Sequence, residues 1–136
     1  LLGLLDAPVG DVESGYNQAT DHLGGDGFGQ RLVLTATESL ELRGFVNDLQ
    51  DNRIGLDLTV GDPVVPVPVT FNLVFSSVCR LDNQDVNLRY DGPAAAPLDA
   101  RGNWWGQFPP DPALIVQVGA GTIDSSDAQP DPPPVP

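Results

Sequence analysis

Short apolar stretches interrupted by glycine and proline limit what this chain can fold into. Between residues 54 and 60, Ile54, Leu56, Leu58 and Val60 alternate with other residues, so a strand here would bury one face. The 136 residues include 15 Gly and 14 Pro, which favours many short strands joined by turns. Apolar residues do not recur with a period of 3.6 over the length of a helix. We therefore expect an all-β domain.

The same reasoning predicts further short strands along the chain. They fall at residues 32–37, 40–43, 69–75, 78–81, 86–90 and 98–100. Three prolines between residues 61 and 68 remove backbone donors, so this segment is predicted to be an outward loop or an extended edge. Residues 112–118 fit either a helical turn or a strand.

A loose internal repeat suggests how these strands are arranged. Residues 45–56 can be aligned with residues 71–81 at an offset of about 24–26 residues, within the range typical of stacked repeats. Stacking would pair each strand with its copies above and below and join the apolar side chains into one core. An antiparallel β-sandwich is the alternative, because the number of short strands permits it.

The stretch with both tryptophans carries a family resemblance. It reads Leu-Asp-Ala-Arg-Gly-Asn-Trp-Trp-Gly over residues 98–106, and a proline-rich loop and Gly-Thr-Ile at residues 121–123 follow. The order resembles the C-terminal turns of right-handed parallel β-helix (pectin-lyase-like) proteins. This resemblance implies a short right-handed solenoid and an extracellular or cell-surface location, but it does not specify a reaction.

The domain prediction divides the chain into three parts. Residues 1–30 are expected to be a loop-rich N-terminal segment or cap, residues 31–126 a solenoid of about three to four turns, and residues 127–136 a Pro/Asp-rich tail. The absence of Met at position 1 suggests that a signal peptide or a longer precursor has been removed. An exposed solenoid end would pair with other strands, so we expect a cap, a homo-oligomer or another chain to cover it.

Charge narrows the classes of partner. The formal net charge of −13 would repel nucleic-acid phosphates and anionic membrane surfaces, and it would attract cations such as calcium or keep the chain soluble. No apolar run is long enough for a membrane-spanning helix, so membrane insertion is not expected. The single Cys79 excludes an intrachain disulfide and is expected to be a buried apolar side chain.

Four residues are candidates for carbohydrate binding: Trp104, Trp105, Arg80 and Arg89. Exposed tryptophans stack on sugar rings, and Arg would bind a sugar carboxylate in a polysaccharide lyase of the family that the chain resembles. The alternative is that the tryptophans plug the end of the solenoid. Because neighbouring side chains of a strand point to opposite sides, one Trp is expected inside and the other outside.

Asp82 and Asp85 are the candidates for a metal site, with calcium as the cofactor if there is one. Calcium needs six to eight oxygen ligands, and no loop here has the EF-hand pattern. The alternative is that both carboxylates face solvent or bind Arg. One His and one Cys cannot supply a His/Cys metal site, and no catalytic residue is predicted.

Two functions follow from these features. The first is a non-enzymatic extracellular module, structural or adhesive, in a surface or self-assembling structure. The second is a carbohydrate-binding or polysaccharide-degrading β-helix fragment. The two are separated by whether Arg80, Arg89, Asp82 and Asp85 converge on one groove near an exposed tryptophan.

Overall fold

The computed structural model describes residues 2–15, 19, 27–45, 47–61, 70–75 and 81–134, and these residues form strands, turns and almost no helix. The all-β prediction is therefore confirmed. The strands are β1 (Leu2–Gly15), β2 (Phe28–Phe45), β3 (Ile54–Val60), β4 (Thr70–Phe75), β5 (Val86–Asp91), β6 (Leu98–Asp99), β7 (Ile115–Gln117) and β8 (Ile123–Asp124).

The long strand β2 takes part in two ladders. Its first half pairs with β3, which pairs with β5 and then β7. Its second half pairs with β4, which pairs with β6 and then β8. Strand β1 pairs with β2 along both halves, so both ladders begin at β1.

Every pairing among the described strands is parallel, so the antiparallel β-sandwich alternative is wrong. In the first ladder Leu32 lies beside Leu58, and Leu58 lies beside Tyr90. In the second ladder Leu42 lies beside Leu73, and Leu73 beside Leu98. Residues at the same level are roughly 25 to 32 positions apart, a spacing in the range of repeat proteins.

The core lies on the inward side of these strands. The alternating residues Leu56, Leu58 and Val60 of β3 are buried on this side, as period-two patterning requires, and so are Leu88 and Tyr90 of β5. Fully burying one Leu side chain contributes about 1.5–3 kcal/mol, so the stacked leucines provide much of the driving force for folding. The buried apolar side chains are Leu32, Leu34, Leu42, Leu49, Leu56, Leu58, Val60, Leu81, Leu88, Tyr90, Ala96, Leu98, Ala100 and Trp105.

One segment differs from its sequence prediction, and a second combines the two alternatives that its sequence allows. Residues 1–30 were expected to be loop-rich, but they contain the 14-residue strand β1. Its register shifts between Ala7 and Val9, next to Pro8, which has no N–H for the ladder. Residues 112–118, which fit either a helical turn or a strand, contain both a 3₁₀ turn (Pro112–Leu114) and β7.

Several predictions lie largely outside the described residues. These are most of the loop at 61–68, most of the strand at 78–81, and the burial of Cys79. Within the described ranges, no helix is long and apolar enough to cross a membrane.

Candidate functional site

A buried carboxylate between two arginines occupies the outward face of the first ladder. Arg31 on β2, Asp57 on β3 and Arg89 on β5 share one register position. Arg89 donates from Nε to Oδ1 and from Nη2 to Oδ2 of Asp57, both at 2.8 Å. The Nε of Arg31 lies 3.2 Å from Oδ2 of the same carboxylate. We call these three residues the arginine column.

The geometry of the arginine column explains why a charge is tolerated there. The side chain of Asp57 is 2% exposed, and burial of an unpaired carboxylate would be costly. The bidentate contact with Arg89 is the strong form of a charge-assisted hydrogen bond. The arginine column therefore ties three consecutive strands of the ladder together.

The two arginines also face solvent. Their side chains are 41% and 38% exposed for Arg31 and Arg89, and the guanidinium carbon of Arg31 lies 4.9 Å from the centre of the Phe28 ring. Cation–π contact of this kind holds the guanidinium in place. Two cations around one carboxylate make this a locally positive spot on an acidic chain.

The two tryptophans lie in different surroundings. Trp105 is 1% exposed and belongs to the apolar core, whereas Trp104 is half-buried. Among the described residues, the buried Nε1 of Trp105 has no hydrogen-bond partner. The backbone oxygen of Trp104 accepts from the N–H of Leu81 at 2.7 Å. Trp105 thus lies inside, as expected for one member of the pair, whereas Trp104 is only partly buried.

Among the other sequence-predicted polar residues that the structure describes, Asp85 and Asp82 have contacts with residues other than Arg89. Arg80 lies outside the described residues. The carboxylate of Asp85 accepts from Nε of Arg53 at 2.8 Å, and both side chains are exposed. Asp82 interacts instead with Asp51, whose N–H donates to the backbone oxygen of Asp82 at 2.7 Å.

The environment of Asp82 is electrostatically unfavourable. Partial burial raises the pKa of Asp82, and the negative charge of Asp51 raises it further. The Asp82 carboxylate also lies against Gly106. This residue has a φ of +82°, and a side chain at position 106 would contact the carboxylate, so glycine is required there. No group of three or more His, Cys, Asp or Glu residues suited to a metal ion occurs in the part of the chain that the structure describes. The calcium prediction stays a prediction.

Buried asparagines connect the segments that precede β3 and β5 with the Trp-Trp segment. The N–H of Asn52 donates to Oδ1 of Asn83 at 3.0 Å, and the N–H of Asn83 donates to Oδ1 of Asn87 at 2.8 Å. Nδ2 of Asn87 donates to the backbone oxygen of Trp105 at 3.1 Å. We call these three residues the asparagine column. It satisfies backbone groups that would otherwise be buried without partners.

A glycine makes room for the asparagine column. A side chain at Gly55 would contact the Asn83 amide and would lie 2.7 Å from the backbone oxygen of Asn87. The close approach of the backbone to these asparagines therefore requires glycine at position 55.

A third polar group lies on the outward side of the second ladder. Arg101 donates from Nε and Nη2 to the two carboxylate oxygens of Asp99, each at 2.9 Å, and its Nε is 3.7 Å from Oδ2 of Asp124. The hydrogen bond from Arg101 lowers the pKa of Asp99. Hydrogen bonds from Ser126 are the largest cause of the lowered pKa of Asp124.

The partners of Arg89 were missed by reasoning from the sequence. That reasoning considered Asp82 and Asp85 because they are close to Arg89 along the chain. The actual partner, Asp57, is 32 residues away and lies in the neighbouring parallel strand. A usable signal was the succession of Arg31, Asp57 and Arg89 at repeat-like spacing, with Asp57 and Arg89 within predicted strands and Arg31 directly before one.

No family model, no curated protein and no solved structure matches this chain. The functional proposal therefore depends on the arrangement of the residues described above.

Proposed function

We propose that this chain is a short right-handed parallel β-helix of the pectin-lyase-like type, and that it serves as a non-enzymatic structural or adhesive module. Its place would be outside the cell or at the cell surface. Two parallel ladders that share β2 and pair residues roughly 25 to 32 positions apart support the β-helix. The Asn-Trp-Trp-Gly turn at the C-terminal end agrees with the family resemblance.

Polar contacts between neighbouring strands are the observation that supports a structural role. The arginine column links β2, β3 and β5, and the asparagine column links the segments that precede β3 and β5 with the Trp-Trp segment. Asp99 and Asp124, which Arg101 joins, lie on the paired strands β6 and β8. Each group holds neighbouring strands in register, which is what a rigid module needs.

The edge of β1 is where a partner is expected. Among the described strands β1 pairs with β2, and its other edge offers backbone donors and acceptors to a second copy or to another chain. The net charge of −13 makes two copies repel each other. Added salt screens this repulsion, and calcium would neutralise part of it, so both would promote association.

The mass of the native particle tests this proposal. Light scattering after size exclusion is performed at low and high salt, with calcium and with magnesium as the matched divalent control. We expect a particle of two or more chains that forms more completely as salt rises. A 14.4-kDa monomer under every condition would contradict self-association.

Carbohydrate binding is the second candidate function, and one observation favours it. The side chains of Arg31 and Arg89 are 41% and 38% exposed, and Trp104 is only partly buried. A panel of acidic and neutral polysaccharides tests this role by retention and by release of shorter products. Binding that Arg31→Gln and Trp104→Ala each weaken would favour this function, and cleavage of the polymer would show an enzyme.

A further inference from the structure

The proline-rich loop before β7 exposes apolar side chains to solvent. Residues 108–112 of this loop read Phe-Pro-Pro-Asp-Pro. In the part of the chain that the structure describes, the exposed large apolar residues are Phe108 and Val118, and Phe108 is 61% exposed. A single exposed apolar residue is ordinary on a protein surface, so the significance of Phe108 depends on its neighbours.

The exposure of the residues that follow Phe108 has a period of three. Pro109 and Pro112 are exposed, whereas Pro110 and Asp111 between them are partly buried. A polyproline II segment has three residues per turn, so residues three positions apart project from the same side. We call Phe108, Pro109 and Pro112 the proline face.

The loop backbone is held in the conformation that produces this face. Asp111 is extended, with φ of −77° and ψ of 113°, and its side chain accepts from the N–H of Ala113 at 2.9 Å. Proline rings fix φ, and a following proline keeps the preceding residue extended. The loop starts after the buried Trp105 and ends at β7, which pairs with β5. A partner would therefore have to order little of this chain on binding.

A second pair of prolines with the same spacing does not form such a face. Pro130 and Pro133 are also three positions apart, in the C-terminal segment. Pro130 is exposed, but Pro133 is buried. Burial of one member removes this pair from the surface, so exposure and not spacing alone distinguishes the loop before β7.

We propose that the proline face binds a partner protein through a groove lined by aromatic side chains. Such grooves accept segments with prolines three positions apart, because the polyproline II conformation is already formed and little entropy is lost on binding. Phe108 would fill an apolar pocket beside the groove, since an aromatic side chain buries a large area there.

Charge defines the partner further. Asp111 is the one charged residue of the segment 107–114, and the whole chain has a formal net charge of −13. A groove with a basic rim is complementary to this charge. The interaction goes beyond the structural role proposed above and does not require assembly at β1.

Binding of the full chain to isolated proline-recognition domains tests this proposal. The probes are a WW, an SH3 and an EVH1 domain with basic groove rims, each immobilised for surface plasmon resonance. We expect the wild type to bind at least one of them, and less tightly as salt rises, because salt screens the attraction between opposite charges. Phe108→Ala and Pro112→Ala should each weaken binding about tenfold or more, the loss typical of an anchor residue.

Two substitutions outside the loop are the matched controls. Val118→Ala removes an apolar side chain that is 57% exposed, and Pro130→Ala removes an exposed proline. Both should bind like the wild type. Urea unfolding of every variant checks that a loss of binding does not come from a loss of the fold.

The outcomes separate this proposal from self-association. Absence of binding by the wild type to all three domains would overturn the role of the proline face, and so would equal binding by the wild type, Phe108→Ala and Pro112→Ala. A loss in Val118→Ala as large as that in Phe108→Ala would also overturn it. A wild type that stays monomeric but binds a domain through Phe108 and Pro112 would contradict assembly at β1 and still support the proline face.

Discussion

Replacing Arg89 by Met should destabilise the protein much more than a surface ion pair would suggest. The substitution keeps an aliphatic side chain but removes two 2.8 Å hydrogen bonds to Asp57, whose side chain is 2% exposed. Removing one partner of a buried ion pair costs about 3–5 kcal/mol. Because Arg31 stays 3.2 Å from the same carboxylate, we expect a loss of about 2–3 kcal/mol, near the range for hydrogen bonds to charged groups. Urea unfolding monitored by tryptophan fluorescence measures the free energy of unfolding.

Arg53→Met is the matched control for this measurement. Its Nε lies 2.8 Å from Asp85, the same distance as in the Arg89 pair, but the two side chains are 42% and 51% exposed. Exposed pairs contribute at most about 1 kcal/mol, and salt screens them. Equal losses in Arg89→Met and Arg53→Met would refute the argument that burial of Asp57 sets the magnitude.

Three further predictions concern packing and pH. Gly55→Ala should lower the free energy of unfolding by about 1–3 kcal/mol, since the added carbon would lie 2.7 Å from a backbone oxygen of the next strand; wild-type stability in urea would contradict this. Trp105→Ala should lower the free energy of unfolding by about 3–5 kcal/mol and Trp104→Ala by clearly less, because only Trp105 is fully buried. Equal losses would argue against the burial of Trp105 alone. Arg101 lowers the pKa of Asp99, so the stability from this pair is present at neutral pH and disappears as the pH falls below about 4 through the lowered pKa. When the free energy of unfolding is measured between neutral and acid pH, it should therefore fall less steeply in Arg101→Gln than in the wild type. The same pH dependence in both proteins would refute the role given to this pair.

The strands with clear alternation were predictable, and β1 was not. Residues 54–60 were predicted as a half-buried strand from their apolar spacing, and the structure has β3 at those positions. β1 contains three glycines and Pro8, which individually disfavour a strand. Its pairing with β2 depends on residues about 30 positions later, so no local pattern could predict it.

The candidate site was less predictable than the fold for a related reason. The predicted cluster used residues that are neighbours in sequence, such as Asp85 and Arg89. In parallel strands, close contacts come from the paired strand and not from the adjacent residue, since side chains alternate between faces. Asp85 precedes β5 and binds Arg53, whereas Arg89 is within β5 and binds Asp57.

The arginine column also sets the register in a way that the apolar pattern cannot. Apolar alternation has a period of two, so it opposes a slip of one residue but tolerates a slip of two. A two-residue slip of β3 along β2 would move Asp57 from Arg31 to Gly29 or Val33 and would weaken the pairing of a buried carboxylate. Because Arg89 fixes the same carboxylate from the other side, a slip of either strand is penalised. A buried charge in an acidic chain is thus explained by its role in selecting one register.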